Sequence, residues 1–172
     1  MQTIGPPLST TAWAAEFTAQ TLEILPVFMH DGAIFWLKPV HADSLQIGLS
    51  PKSNPGDEVI AAMRWYPLTP HVVHSTSWRH EEGRVTLTYV AVVEPPDQLP
   101  PDSLATLPVG RAELARGEAM AAPRAIGVDA VLEHALRHLA WLVRDDPAIA
   151  TALAAWRDAL AVFVPEPFRA LG

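Results

Sequence analysis

Two alternating runs, His71–Arg79 and Arg84–Val93, flank the tetrapeptide His80-Glu81-Glu82-Gly83. Period-two alternation sends successive side chains to opposite faces of a strand. A short polar connection ending in glycine lets two such runs fold back on each other. The pattern predicts a β-hairpin with a four-residue loop, Gly83 standing where φ is positive. Pairing Arg79 with Arg84 sets Trp78 opposite Val85, Thr76 opposite Leu87 and His74 opposite Tyr89. These six side chains share the face expected to be core. Ser75, Ser77, Arg79, Arg84, Thr86 and Thr88 fall on the other face, which is either solvent-facing or a polar binding surface.

Prolines divide the rest of the chain. There are 17, about twice the usual share, clustered at 6–7, 67/70, 95–96, 100–101 and 165/167. Before the hairpin, Ser9-Thr10-Thr11 offers caps for a short helix across Trp13–Gln20. Leu22–Met29 reads as a strand, His30-Asp31-Gly32 as a turn and Ala33–Val40 as the partner strand. Leu45–Leu49 is a third short strand. Asp57 is placed to cap a helix over Glu58–Trp65, with a strand as the alternative, and Pro67 and Pro70 end it. Glu94–Pro108 is a proline-rich connection. Residues 109–127, rich in Ala and Arg, fit no single element.

The last third is helical. Asp129 opens a helix to about Arg144, with Leu132, Leu136, Leu139 and Val143 in one stripe. Asp146 and Pro147 form a cap and first-turn pair for a second helix. That helix aligns Ile149, Leu153, Trp156, Leu160 and Phe163. The short connection folds the two into an antiparallel helical hairpin. Strands first and helices last give an α+β fold in a single domain over 1–172: an antiparallel or mixed sheet from the N-terminal two-thirds, packed by the C-terminal helical hairpin. The six tryptophans are spread over nearly every element and read mostly as core anchors.

Composition narrows the chemistry. With no cysteine, a disulfide framework, a zinc ribbon, an iron–sulfur cluster and a thiol nucleophile are all excluded. A net charge of −7 argues against nucleic-acid binding through a broad basic face. Residues 1–20 lack the pattern of a signal peptide, and no apolar run is long enough for a membrane span. The expectation is a cytoplasmic protein.

Three constellations remain. His134 and His138, four apart on the best-supported helix, border its apolar stripe and are placed to reach one metal ion; a zinc site needs a third ligand, which His71, His74 or His80 has to supply, His74 being taken here. This is not a His-Glu-x-x-His motif, because Ala135 follows the first histidine. On the hairpin, Ser75, Ser77, Arg79, Arg84 and Thr86 offer hydroxyls and guanidinium groups to a phosphate or carboxylate. Arg79-His80-Glu81-Glu82-Gly83 resembles the close of the Nudix motif, in which helical glutamates hold Mg²⁺. The upstream Gly and Glu of that motif are missing, and the run reads as a hairpin turn, so no residue is carried over. No nucleophile elbow, dinucleotide fingerprint or P-loop is present.

In the absence of a catalytic motif, the main reading is a non-catalytic binding or structural module without a cofactor, able to bind a small molecule and to form a homodimer. One alternative is a metal-dependent hydrolase of a small substrate, using the His134/His138 pair with zinc or another divalent ion. Another is a metal-free pocket for a small anion on the hairpin face.

Overall fold

The computed structural model describes residues 19–81, 83–109 and 127–163. Six strands form one mixed sheet: β1 (Ala19–His30), β2 (Ala33–Pro39), β3 (Leu45–Leu49), β4 (Pro70–Glu81), β5 (Arg84–Val93) and β6 (Leu104–Pro108). The sheet order is β4-β5-β1-β2-β6, with β3 also paired to β1. β1 and β5 run parallel and the other pairs antiparallel. One edge of β1 serves two partners in turn, β3 along Gln20–Ile24 and β2 along Val27–His30. The β1–β2 turn is the expected one: Asp31 and Gly32 both take positive φ, at 49° and 75°, the geometry of a two-residue hairpin turn.

Helix α1 (Pro55–Arg64) covers one face of the sheet. Its cap is Asn54 and not Asp57: the Asn54 side chain accepts hydrogen bonds from the amides of Gly56 (2.9 Å) and Asp57 (3.3 Å). Beneath it lies a core of Leu22, Ile24, Phe28, Leu37, Val59 and Met63 with their neighbours. Helix α2 (Val128–Asp145) covers the opposite face, burying Leu132, Leu136, Leu139 and Val143 against Leu25, Val27, Val90 and Val92. Its first turn is preceded by Gly127, which provides no side-chain cap, and Asp129 lies inside the helix.

The second helix of the expected hairpin is broken. It becomes α3 (Pro147–Ala152), a 3-10 turn at Ala154–Trp156, and α4 (Arg157–Ala161). Asp146 does cap α3, accepting from the amides of Ala148 (2.8 Å) and Ile149 (3.3 Å). The apolar stripe survives the break, since Leu153, Trp156, Leu160 and Phe163 are all buried in the α2-side core. No described helix is long and apolar enough to cross a membrane.

Two other expectations are corrected. The proline-rich connection contains β6, which pairs with β2 from Phe35–Pro108 to Pro39–Leu104. The tryptophans are not mostly core: Trp36 and Trp156 are buried, but Trp65, Trp78 and Trp141 are 84%, 70% and 50% exposed. The helix expected over 13–20 lies outside the described residues except for its last two, which belong to β1, and nearly all of 109–127 lies outside them too.

Candidate functional site

The hairpin forms, but its register differs from the expected one. Glu81 pairs with Arg84, Trp78 with Leu87 and Arg79 with Thr86. The connection is therefore two residues, with Gly83 at a φ of 76°. Further along β4, Ser75 pairs with Tyr89 and Ser77 with Thr88, so Thr76 is an extra residue, a β-bulge. Its buried hydroxyl donates to the Thr88 carbonyl at 3.4 Å, using in the bulge an acceptor from the neighbouring strand.

The bulge changes which side chains share a face. Before it, Val72 and His74 stand opposite Val92 and Val90; after it, Ser77 and Arg79 stand opposite Thr88 and Thr86. Both sets lie on the face that α2 covers, since Val72, Val90 and Val92 belong to its core. Strict alternation puts His74 and Arg79 on opposite faces; the extra residue brings them together. It also separates Ser75 from Ser77 and Arg79. The expected anion site of Ser75, Ser77, Arg79, Arg84 and Thr86 is therefore not assembled: Ser75 points to the α1 side, Arg84 is exposed at the turn, and Thr86 is buried below Arg79.

Arg79 is engaged from below. Its Nη1 donates to Glu23 Oε2 at 2.7 Å and its Nη2 to Oε1 at 3.0 Å, a fork-on-fork ion pair. Glu23, only 2% exposed, also accepts from the hydroxyls of Ser44 (2.8 Å) and Thr88 (3.0 Å). Burial alone pushes this carboxyl up. The hydrogen bonds from Arg79, Ser44 and Thr88, with the charge of Arg79, outweigh burial and hold it below the ordinary value.

Above this pair, β4 and α2 enclose a cleft of about 360 Å³, lined by Ser77, Trp78, Arg79, Ala130, Val131, Glu133, His134 and Arg137. Glu133 is buried; one carboxylate oxygen accepts from Arg137, one turn on, and Oε2 is without a hydrogen-bond partner. His134 is exposed beside it. Its ring stands 4.8 Å from that of His138, which in turn stands 6.0 Å from His74. Burial pushes the His74 imidazole below its ordinary value; burial and then the charges of His134 and His138's other neighbour, His74, do the same to His138.

The three expected metal ligands thus do converge. Among the described residues, however, no group of three His, Asp or Glu side chains is arranged to hold a metal ion. Sequence reasoning missed Glu23, whose signal is a lone acid in an otherwise apolar strand, and Glu133, the acid directly before His134 on the helix.

No protein-family model matches the chain, and no curated protein matches it. Solved structures do. The Nudix domain of Shewanella oneidensis NrtR, complexed with ADP-ribose, is 13% identical over 59% of this chain and 77% of that one, with a TM-score of 0.40. A protein from Chromobacterium violaceum assigned to the Nudix hydrolase family is 10% identical over 85% and 92%, with a TM-score of 0.48. The Escherichia coli ORF135 protein is 14% identical over 53% and 74%, with a TM-score of 0.33. Where the expectation was a non-catalytic binding or structural module, two of these three structures are Nudix domains, one assigned to a hydrolase family and one holding a small molecule. Arg79–Glu81 closes strand β4 and Gly83 stands just before β5, so this run is not helical here.

Proposed function

We propose that this chain is a metal-dependent hydrolase of a small polar molecule bound in the cleft between β4 and α2. One observation carries the reading: the cleft wall sets an accessible imidazole, His134, beside a buried carboxylate, Glu133, that has one unpartnered oxygen. The volume lies in the range of small-molecule sites. An imidazole is the side chain best suited to exchange a proton near neutral pH. Glu133, fixed by Arg137, is placed to orient a water or a substrate donor, while Arg79, held by Glu23, forms a rigid floor. Both guanidinium groups have carboxylate partners, so the cleft suits a ligand of modest net charge better than a bare anion.

A divalent ion belongs to this reading as the cofactor. The described side chains do not cage one, so it would enter with substrate oxygens and water completing its shell, a mode common for Mg²⁺.

The test is a screen of phosphate-, ester- and amide-linked small molecules with Mg²⁺, Mn²⁺, Zn²⁺ or EDTA, on wild type, His134→Ala and Glu133→Gln. The expected result is a metal-dependent turnover that falls on the order of a hundredfold in each variant, with folding retained. Turnover unchanged in both variants, or no hydrolysis of any class with any metal, overturns it.

A further inference from the structure

We propose that the cavity between α2 and α4, flanked by Arg144 and Arg157, binds a small amphipathic anion: a carboxylate or phosphate headgroup on a short aliphatic body. This site is separate from the cleft between β4 and α2, and the proposal holds whether or not that cleft carries out hydrolysis.

The cavity has a volume of about 440 Å³, within the range of small-molecule sites. Among the described residues, Ala140, Val143 and Arg144 line it from α2, and Arg157, Leu160 and Ala161 from α4. Ala140, Val143 and Leu160 are buried members of the α2-side core, so the floor is apolar. Alanine at 140 and 161 leaves room that larger side chains would fill.

The charge at the cavity is of one sign. Arg144 and Arg157 are both exposed, and among the described residues neither makes an ion pair or a side-chain hydrogen bond. Arg79 and Arg137, in the other cleft, both have carboxylate partners. No acidic side chain is among the described lining residues. Asp145 and Asp158 follow the two arginines in sequence, but neighbours along a helix point about 100° apart and do not face each other. Arg144 lies in the last turn of α2, where the carbonyl end of the helix favours a cation. Arg157 opens α4, where a cation gains nothing from the helix.

Charge complementarity names the occupant. A guanidinium group binds a carboxylate or phosphate through paired N–H donors. Two of them on one cavity, from two helices, are placed to hold one headgroup between them. The apolar floor then takes the attached chain, and burying that chain adds the hydrophobic contribution. An inorganic anion leaves the floor unused, and a neutral aliphatic molecule leaves both guanidinium groups unused.

The experiment is calorimetric titration of the full chain with octanoate and octyl phosphate. Acetate, inorganic phosphate and octanol serve as half-ligands. At least one of the two probes is expected to bind in the sub-millimolar range, and at least tenfold more tightly than any half-ligand. Arg144→Gln/Arg157→Gln is expected to weaken that binding about tenfold or more. Ala161→Leu, which fills the cavity and keeps both guanidinium groups, is expected to do the same. Ala161 is exposed, so this variant keeps the test informative should the double variant not fold. Binding unchanged in Ala161→Leu, a half-ligand bound as tightly as the probes, or no binding of either probe overturns the proposal. Co-sedimentation with anionic phospholipid vesicles in place of probe binding assigns the arginines to a membrane headgroup and overturns it as well.

Discussion

Removing Arg79 should destabilise the protein in a way that a second substitution, at Glu23, partly repairs. Arg79→Met takes away two charge-assisted hydrogen bonds, at 2.7 and 3.0 Å, and leaves the carboxylate of a 2%-exposed residue with only two hydroxyl donors. Breaking one side of a buried pair costs about 3–5 kcal/mol. The Arg79 side chain is 25% exposed, which places the loss toward the lower end of that range, near 3 kcal/mol. Glu23→Gln alone should cost about 2 kcal/mol, because the stranded guanidinium still reaches solvent. In the Arg79→Met background, Glu23→Gln removes an uncompensated buried charge and should restore about 1–2 kcal/mol. The pH dependence changes as well. In wild type Glu23 binds its proton less readily than at its ordinary value of 4.5, so its contribution is complete above 4.5 and is lost as pH falls through the lowered value. In Arg79→Met the hydrogen bond and the charge of Arg79 no longer oppose burial, the lowering shrinks, and less stability should be lost on acidification. Urea unfolding of the four proteins at pH 3.5 and 7.5 measures all of this. A double variant less stable than Arg79→Met at pH 7.5 would refute the reasoning.

Two further substitutions test the frame that holds the cleft. Asn54→Ala removes the acceptor for the Gly56 and Asp57 amides and should cost about 1 kcal/mol by urea unfolding, while Asp57→Ala should cost clearly less, since Asp57 is not the cap. Leu136→Ala, at a position with no solvent exposure between α2 and the sheet, should cost about 2–5 kcal/mol, and a thermal melt displaced by only a degree or two would contradict the packing described.

Much of the frame was legible because it depends on local patterns. Asp31-Gly32 between two apolar runs specifies a tight turn, and the stripe Leu132/Leu136/Leu139/Val143 specifies a buried helix face. Asp146-Pro147 specifies a capped helix start. Other features depend on distant partners. β6 is five residues whose strand character comes from pairing with β2, and its proline-rich surroundings hide it. The parallel pairing of β1 with β5 joins residues about 65 positions apart, and no short-range signal encodes it. The exposed tryptophans at 65, 78 and 141 follow from where the layers stop, which alternation alone does not give.

The site turned on one residue. Strict alternation makes His74 and Arg79 incompatible partners, so a helix covering Arg79 must turn away from His74. The structure satisfies both because Thr76 is a bulge, and a bulge advances the chain by one residue without advancing the ladder. Thr76 is a β-branched residue in a polar run, with nothing in its identity to mark it as the irregular position. Its cause is energetic and non-local. Without the extra residue, His74 and Thr76 stay on one face and Arg79 goes to the other, away from Glu23. Glu23 is then a carboxylate buried on β1 with hydroxyl donors alone, a loss of about 3 kcal/mol by the same reasoning as for Arg79→Met. With it, Arg79 reaches Glu23 and His74 reaches His138. The unpaired Thr76 hydroxyl finds the Thr88 carbonyl. The buried acid on β1 thus selects the irregular register of β4, and that register brings the histidines of two elements to one seam. Deleting Thr76 should therefore leave both contacts in place, because Ser75 and Ser77 already pair with adjacent residues of β5 and a regular ladder then carries His74 and Arg79 to one face.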